Sequence, residues 1–251
     1  MNNKQKFQIL LNISLFSSIS FFLLCALAMY FYPGGSMYNN PANPLYNSSI
    51  TSYSHTMNFF SDLGLHYSWS RQPNFISNIF FSYALLSVAI GIVSFYTSLH
   101  FILRKDKQLI LLSKFGIFIA LLSSIGFILV SFTPSDMLLS EHMFAVNLGF
   151  RSFLIIMLIY SYAIFRSNYI ENYLALIYFG LFCLVAYYVY ILIAGPELVS
   201  VSYRHKDFFI PTKQAVLFHV VSQKFVIYGL NFSILWQLIE FKKQKYIDLI
   251  E

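Results

Sequence analysis

Charge is what this sequence has least of. Only 10% of its 251 residues are Asp, Glu, Lys or Arg, against roughly a quarter in a soluble domain, so a water-facing globule is excluded. Cysteine is nearly missing as well. Cys25 and Cys183 both lie deep in apolar runs, with no CxxC spacing, which excludes a disulfide framework and a thiol metal or redox motif. No phosphate loop, dinucleotide glycine pattern or haem CxxCH occurs. The small charge present is biased, to a net +6. The excess sits in short clusters between apolar runs, the pattern of cytoplasmic membrane loops. Membrane lipids, and not nucleic acid, are therefore the expected partners. No motif speaks to an oligomeric state.

What fills the chain instead is apolar: 58% of residues are hydrophobic and 20% aromatic. Runs at 9–32, 75–103, 109–132, 141–165, 173–194 and 214–241 are each long enough for a bilayer, which needs about 20 residues. The pattern predicts an all-α, polytopic integral membrane protein: a six-transmembrane-helix bundle forming a single membrane domain over 1–251. Ala26-Leu27-Ala28 imitates a signal cleavage site. The length of the first run and its polar residues (Asn12, Ser14, Ser17, Ser18, Ser20) favour a retained helix. Lys4, Lys6, Arg104, Lys105, Lys107, Arg166, Lys242, Lys243 and Lys245 all fall on one side. Arg71, Arg204, Lys206 and Lys213 fall on the other. The richer side is cytoplasmic by the positive-inside rule. Both termini are then cytoplasmic, loop 33–74 is extracytoplasmic, and the protein is a multi-pass protein of the cell membrane.

Pro33-Gly34-Gly35 stops the first helix. The long loop after it is rich in Asn, Ser, Tyr and Pro. Loops of this length are functional or disordered, and its aromatics (Tyr46, Tyr53, Phe59, Phe60, Tyr67, Trp69) predict that it lies on the membrane surface. The loop contains Asn58-Phe59-Phe60-Ser61-Asp62-Leu63-Gly64, a polar signature just before the second span.

Two cations are out of place. Arg151 and Lys224 each lie about ten residues into a span, too deep to snorkel easily, where a charge costs a few kcal/mol. No acid lies mid-span. Asp62, Asp136 and Glu141, at the outer boundary, are nearest. Asn147 and Arg151 share a helix face, as do His219 and Gln223, with Lys224 adjacent. His142 heads the fourth span, and Gly149 below it allows close packing. If the outer ends of the second, third, fourth and sixth helices meet, these groups form a polar, net basic pocket. Its ligand-binding set would be Asn58, Ser61, Asp62, Asp136, His142, Asn147, Arg151, His219, Gln223 and Lys224. Asp62, Asp136, His142 and His219 are the candidate catalytic groups. Each residue also has a plainer reading. In it Arg151 and Lys224 pair with Asp62 and Asp136 to pin loops, Ser61 and Asp62 cap a helix, and His219 bonds a carbonyl.

The segments Tyr32-Pro33-Gly34-Gly35, Asn58 to Gly64, and Pro134 with Asp136 and His142 resemble the uncharacterised bacterial and archaeal membrane proteins catalogued as domain of unknown function 998. Those proteins have about six helices, an Asn…Ser-Asp-Leu-Gly stretch after the first and a Pro-x-Asp…His stretch after the third. The resemblance covers roughly 10–240 and implies the same fold, but no activity. The longer, Asn-rich first loop departs from it. A looser similarity is to ceramidase-like membrane hydrolases, which hold zinc with Ser, Asp and His. Catalytic zinc takes three protein ligands plus water. Here Gln223 stands four residues after His219, where a second histidine is needed, and Arg151 and Lys224 would repel a dication. No metal or cofactor is expected. Three functions remain open: binding or transport of an anionic or lipid headgroup, hydrolysis or transfer on lipids, and a structural scaffold.

Overall fold

A computed structural model describes residues 1–194, 204–205, 208–209 and 211–250, with backbone alone at 192, 193, 204, 205, 208 and 209. Most of loop 195–213, with Glu197, Lys206 and Asp207, lies outside the described residues. Every expected run is a helix: α1 Asn3–Tyr30, α2 Phe75–Leu103, α3 Ile110–Phe132, α4 Leu139–Arg166, α5 Asn172–Ala194 and α6 Lys213–Phe241, followed by a short α7 Gln244–Asp248. Six of them are long and apolar enough to cross a membrane. Extended pairing among the described strands is limited to β1 Arg204–His205 against β2 Phe208–Phe209.

The largest boundary difference is at α1, which starts at Asn3 rather than at residue 9. Asn2 and Gln5 form a reciprocal capping box, Asn2 accepting from the Gln5 N–H at 2.8 Å and donating its own N–H to Gln5 at 3.1 Å. Polar caps of this kind extend a helix beyond its apolar run. Thr212 likewise caps α6, accepting from Ala215 N–H at 3.1 Å.

The helices pack in chain order, each against the next, and α6 returns to α1. Lys4 lies 3.2 Å from Asp248, so both chain ends sit at one end of the bundle. Small residues set the closest approaches. A Cβ on Gly126 would come within 2.4 Å of the Gly149 backbone, and Ser14 donates to Gly91 C=O at 3.1 Å. Buried aromatics, among them Phe95, Tyr96, Phe153, Tyr160 and Tyr178, fill the interior. Phe16, Leu111, Leu176 and Ile239 stand exposed on the outer faces. Such a skin would aggregate in water and suits contact with lipid chains.

Candidate functional site

Loop 33–74 does not simply lie on the surface. Its middle enters the bundle as a plug. Phe60 begins a 3-10 helix, Phe60–Gly64, and its ring meets Phe21 of α1 at 6.1 Å and Tyr228 of α6 at 5.6 Å. Phe21 lies nine residues before the end of α1, about 13 Å along its axis. Leu63 is fully buried among Phe21, Cys25, Phe81 and Ala84. The plug's apolar residues thus account for its insertion, and every backbone polar group carried inward then needs a partner.

Asparagine and serine side chains supply them. Asn58, 0% exposed, accepts from Ser54 N–H at 3.0 Å and donates to Gly35 C=O at 2.8 Å and to Asp62 Oδ2 at 2.9 Å. Asp62 Oδ2 also accepts from Phe59 N–H at 3.0 Å, so it caps its own turn. The far end of the turn is held from α2. Asn74 donates to Leu63 and Leu65 carbonyls, both at 3.0 Å, Ser77 to Leu63 C=O at 3.1 Å, and Asn78 to Gly64 C=O at 2.6 Å. Asn39, Asn40, Asn43 and Asn47 bond loop backbone in the same way further out. Gly34 and Gly35 (φ +105° and +77°) make the turn that brings Gly35 C=O to Asn58; a Cβ on Gly35 would sit 2.4 Å from Ser70 N.

From α6, Gln223 accepts Phe60 N–H at 2.8 Å. Lys224, 6% exposed, donates to Asn58 C=O. Its Nζ lies over the Tyr53 and Phe60 rings at 5.1 and 5.5 Å, a cation–π arrangement strengthened by desolvation. Tyr53 Oη donates to the same Asn58 carbonyl at 3.1 Å. Lys224 and Asp62 are therefore joined through Asn58 rather than as an ion pair. Burial pushes the Asp62 carboxyl up to about 6, against the lowering effects of Asn58, Trp69, Lys224 and the Phe59 N–H. The Trp69 indole N–H nears this carboxylate without closing a hydrogen bond of ordinary length.

Of the expected site residues, the structure brings together Asn58, Asp62, Gln223 and Lys224, with half-buried Ser61 on the same turn. His219 is buried one turn before Gln223 on α6. The others go elsewhere. Asp136, exposed at the α3–α4 turn, accepts His66 N–H at 3.1 Å and Tyr67 N–H at 2.9 Å, which ties that turn to the plug's exit. His142 Nδ1 is 2.7 Å from Thr133 C=O, a latch across the start of α4. Asn147 bonds its own helix at Met143 C=O, 2.8 Å away. Arg151 is exposed on the outer face of α4. The expected basic pair is thus split. Lys224 is enclosed, and Arg151 faces out because Gly149, Phe150 and Phe153 take the inward side. No group of three His, Cys, Asp or Glu suited to a metal occurs among the described residues. Both cysteines are free.

Sequence reasoning missed Tyr53, Asn74, Ser77 and Gly35. Asn74 does stand at the N-cap position of α2, but its side chain makes no cap and bonds the plug instead. Beside the plug a crevice of about 610 Å³ opens sideways between α1 and α6. Phe21, Phe22, Cys25 and Ala26 wall it on one side and Tyr228 on the other, with Phe60 at its back and Ser52, Tyr53 and His55 at its mouth. No family model, curated protein or solved structure matches the chain. The likeness to the Ser-Asp-Leu-Gly proteins rests on the residues quoted above alone.

Proposed function

We propose that the protein is a multi-pass protein of the cell membrane, with both termini cytoplasmic, that binds one amphiphile from the outer leaflet in the crevice between α1 and α6. The crevice carries this reading. Its volume falls in the range of ligand sites, roughly 300–1,000 Å³. Its walls are mostly apolar, with Tyr228 among them, and Ser52, Tyr53 and His55 come from the loop. A chain would lie along Phe22, Ala26 and Tyr228, and a headgroup would meet Ser52 and His55. Lys224 stands directly behind Tyr53 and Phe60. A cation so placed would favour an anionic headgroup at the mouth. The orientation follows the cation-rich end, which holds the termini and the α2–α3 and α4–α5 turns.

A catalytic reading has less support. Asp136 and His142 are spent on backbone groups, and Asp62 is closed in by Asn58 and Phe59. The test is lipid mass spectrometry on protein purified in mild detergent. Ala26 is exposed on the crevice wall, so Ala26→Trp fills the space without disturbing the core. The expected result is a copurified anionic lipid that falls by about tenfold in the variant, the equivalent of about 1.4 kcal/mol. An unchanged lipid profile sinks the proposal.

A further inference from the structure

Arg151 sits near the middle of α4, which has 28 residues and so runs about 42 Å. With a hydrocarbon core of about 30 Å centred on that helix, its Cα lies roughly 12 Å below the outer boundary. Helical side chains lean toward the helix N-terminus, here outward. A fully stretched arginine, reaching roughly 6 Å, still ends inside the apolar layer. Phe144, Ile155 and Leu158 flank it, 65%, 45% and 52% exposed. Lying seven residues before it and four and seven residues after it, they share its face of the helix. Among the described residues no ion pair or hydrogen bond reaches the guanidinium. The contrast with Lys224, equally deep but enclosed and bonded to Asn58, shows that the fold satisfies one mid-span cation and presents the other.

We propose that this stripe of α4 docks a transmembrane helix of a different protein that carries a carboxylate at mid-membrane. An arginine facing only lipid costs a few kcal/mol, and an ionised partner offsets that cost with charge-assisted hydrogen bonds. The apolar flanks supply helix-on-helix packing above and below. The described residues of a second copy offer no such carboxylate. The acids among the described residues, Asp62, Asp106, Asp136, Glu141, Glu171, Glu240 and Asp248, lie in loops, in α7 or near helix ends. A two-fold contact through the stripe would also set Arg151 beside Arg151. The proposal does not depend on the crevice, which lies between α1 and α6.

The test uses the full chain, labelled, in phosphatidylcholine vesicles at pH 8, with energy transfer to polyleucine transmembrane peptides. One peptide carries Asp at its centre, one carries Leu there, and one carries Asp two turns nearer its outer end. Interhelical polar contacts are worth about 1–2 kcal/mol, so the central-Asp peptide should bind about tenfold tighter than the Leu peptide. Arg151→Gln should erase that preference. With no intramolecular partner lost, its melting midpoint should stay that of the parent. If the variant misfolds, the unaltered protein still decides: the displaced-Asp peptide should lose the gain. Equal binding of the central-Asp and Leu peptides overturns the proposal. So does displacement of the central-Asp peptide by a small fraction of phosphatidylglycerol, which would make a lipid phosphate the occupant.

Discussion

Asp106 and Asp62 are each the acceptor at the heart of a turn, at opposite ends of the bundle. Asp106, between α2 and α3, accepts from Ser167 Oγ at 2.9 Å and from Asn168 N–H and Nδ2 at 3.1 and 2.9 Å. It thereby clasps the α2–α3 turn to the α4–α5 turn. Around it the end carries two open ion pairs, Lys4–Asp248 and Lys245–Glu171, and a third, Lys243–Glu240, whose carboxylate is buried. Asp62 has comparable bonds but no such company. It is 3% exposed, and its one nearby cation reaches it only through Asn58. One end is thus held partly by charges that water screens, the other by groups water does not reach. Exposed pairs contribute little, whereas an enclosed polar group deprived of its partner costs several kcal/mol. The Asp62 end should therefore respond to substitution and pH but not to salt, and the ion pairs of the Asp106 end should respond to salt.

Asn58→Ala should be the largest disruption. It strands Ser54 N–H, Gly35 C=O and one side of a buried carboxylate together. We expect a loss of about 3–5 kcal/mol, read as a fall in the melting midpoint in detergent. A loss under about 1 kcal/mol would mean that the plug is not enclosed, and the contrast between the ends would collapse.

The pH dependence of Asp62 comes next. Burial raises its pKa from 3.8 to about 6 in the folded chain. The folded state therefore holds the proton more tightly than the unfolded state. This contribution is fully present below about pH 4 and is lost as pH rises through about 6, a swing of about 3 kcal/mol at 1.36 kcal/mol per unit. Asp62→Asn keeps the shape of the neutral form and has no charge to lose. The wild-type midpoint should fall relative to the variant between pH 4 and 7. Parallel curves would show that the carboxylate is solvated.

These two residues also mark how far the sequence can be read. The spans were legible because a long apolar run has few other uses, and they recur as α1 to α6 with small shifts at their ends. Asn58 to Gly64 stood out as a polar unit for the same reason. Its partners were hidden because they are backbone atoms. Lys224 invited a search for a carboxylate, yet what it bonds is the Asn58 carbonyl, which any residue type would carry. Asp136 and His142 lie at the α3–α4 turn, and they too bond backbone. The loop's insertion into the bundle is hidden in the sequence because asparagines, and not a hydrophobic period, order it. Arg151 was assigned inward on the strength of its charge. The apolar and small residues beside it, Gly149, Phe150 and Phe153, decided the inward face instead.

At the inner end, Asp106→Ala removes the acceptor shared by Ser167 and Asn168. Of those donors Asn168 is exposed, so water replaces part of what is lost, and about 2 kcal/mol is expected. The loss should be smaller than for Asn58→Ala, although the two changes remove similar numbers of bonds. Equal losses would place the difference between the ends in bond count rather than in burial.

The smallest effect should come from Lys4→Gln. The Lys4 and Asp248 side chains are 42% and 57% exposed at a separation of 3.2 Å. Coulomb attraction at that separation is weak in water, and holding a lysine in one rotamer opposes it, so the change should cost no more than about 0.5 kcal/mol. Salt supplies the sharper reading. At 1 M the screening length is about 3 Å, so the pair should contribute nothing and the variant should melt with the parent. The Asn58→Ala deficit should persist at the same salt, because ions cannot enter between Asn58, Asp62 and Lys224. If high salt narrowed both deficits alike, the plug would be open to solvent, and the Lys224 contact with Asn58 would be a surface interaction like that of Lys4.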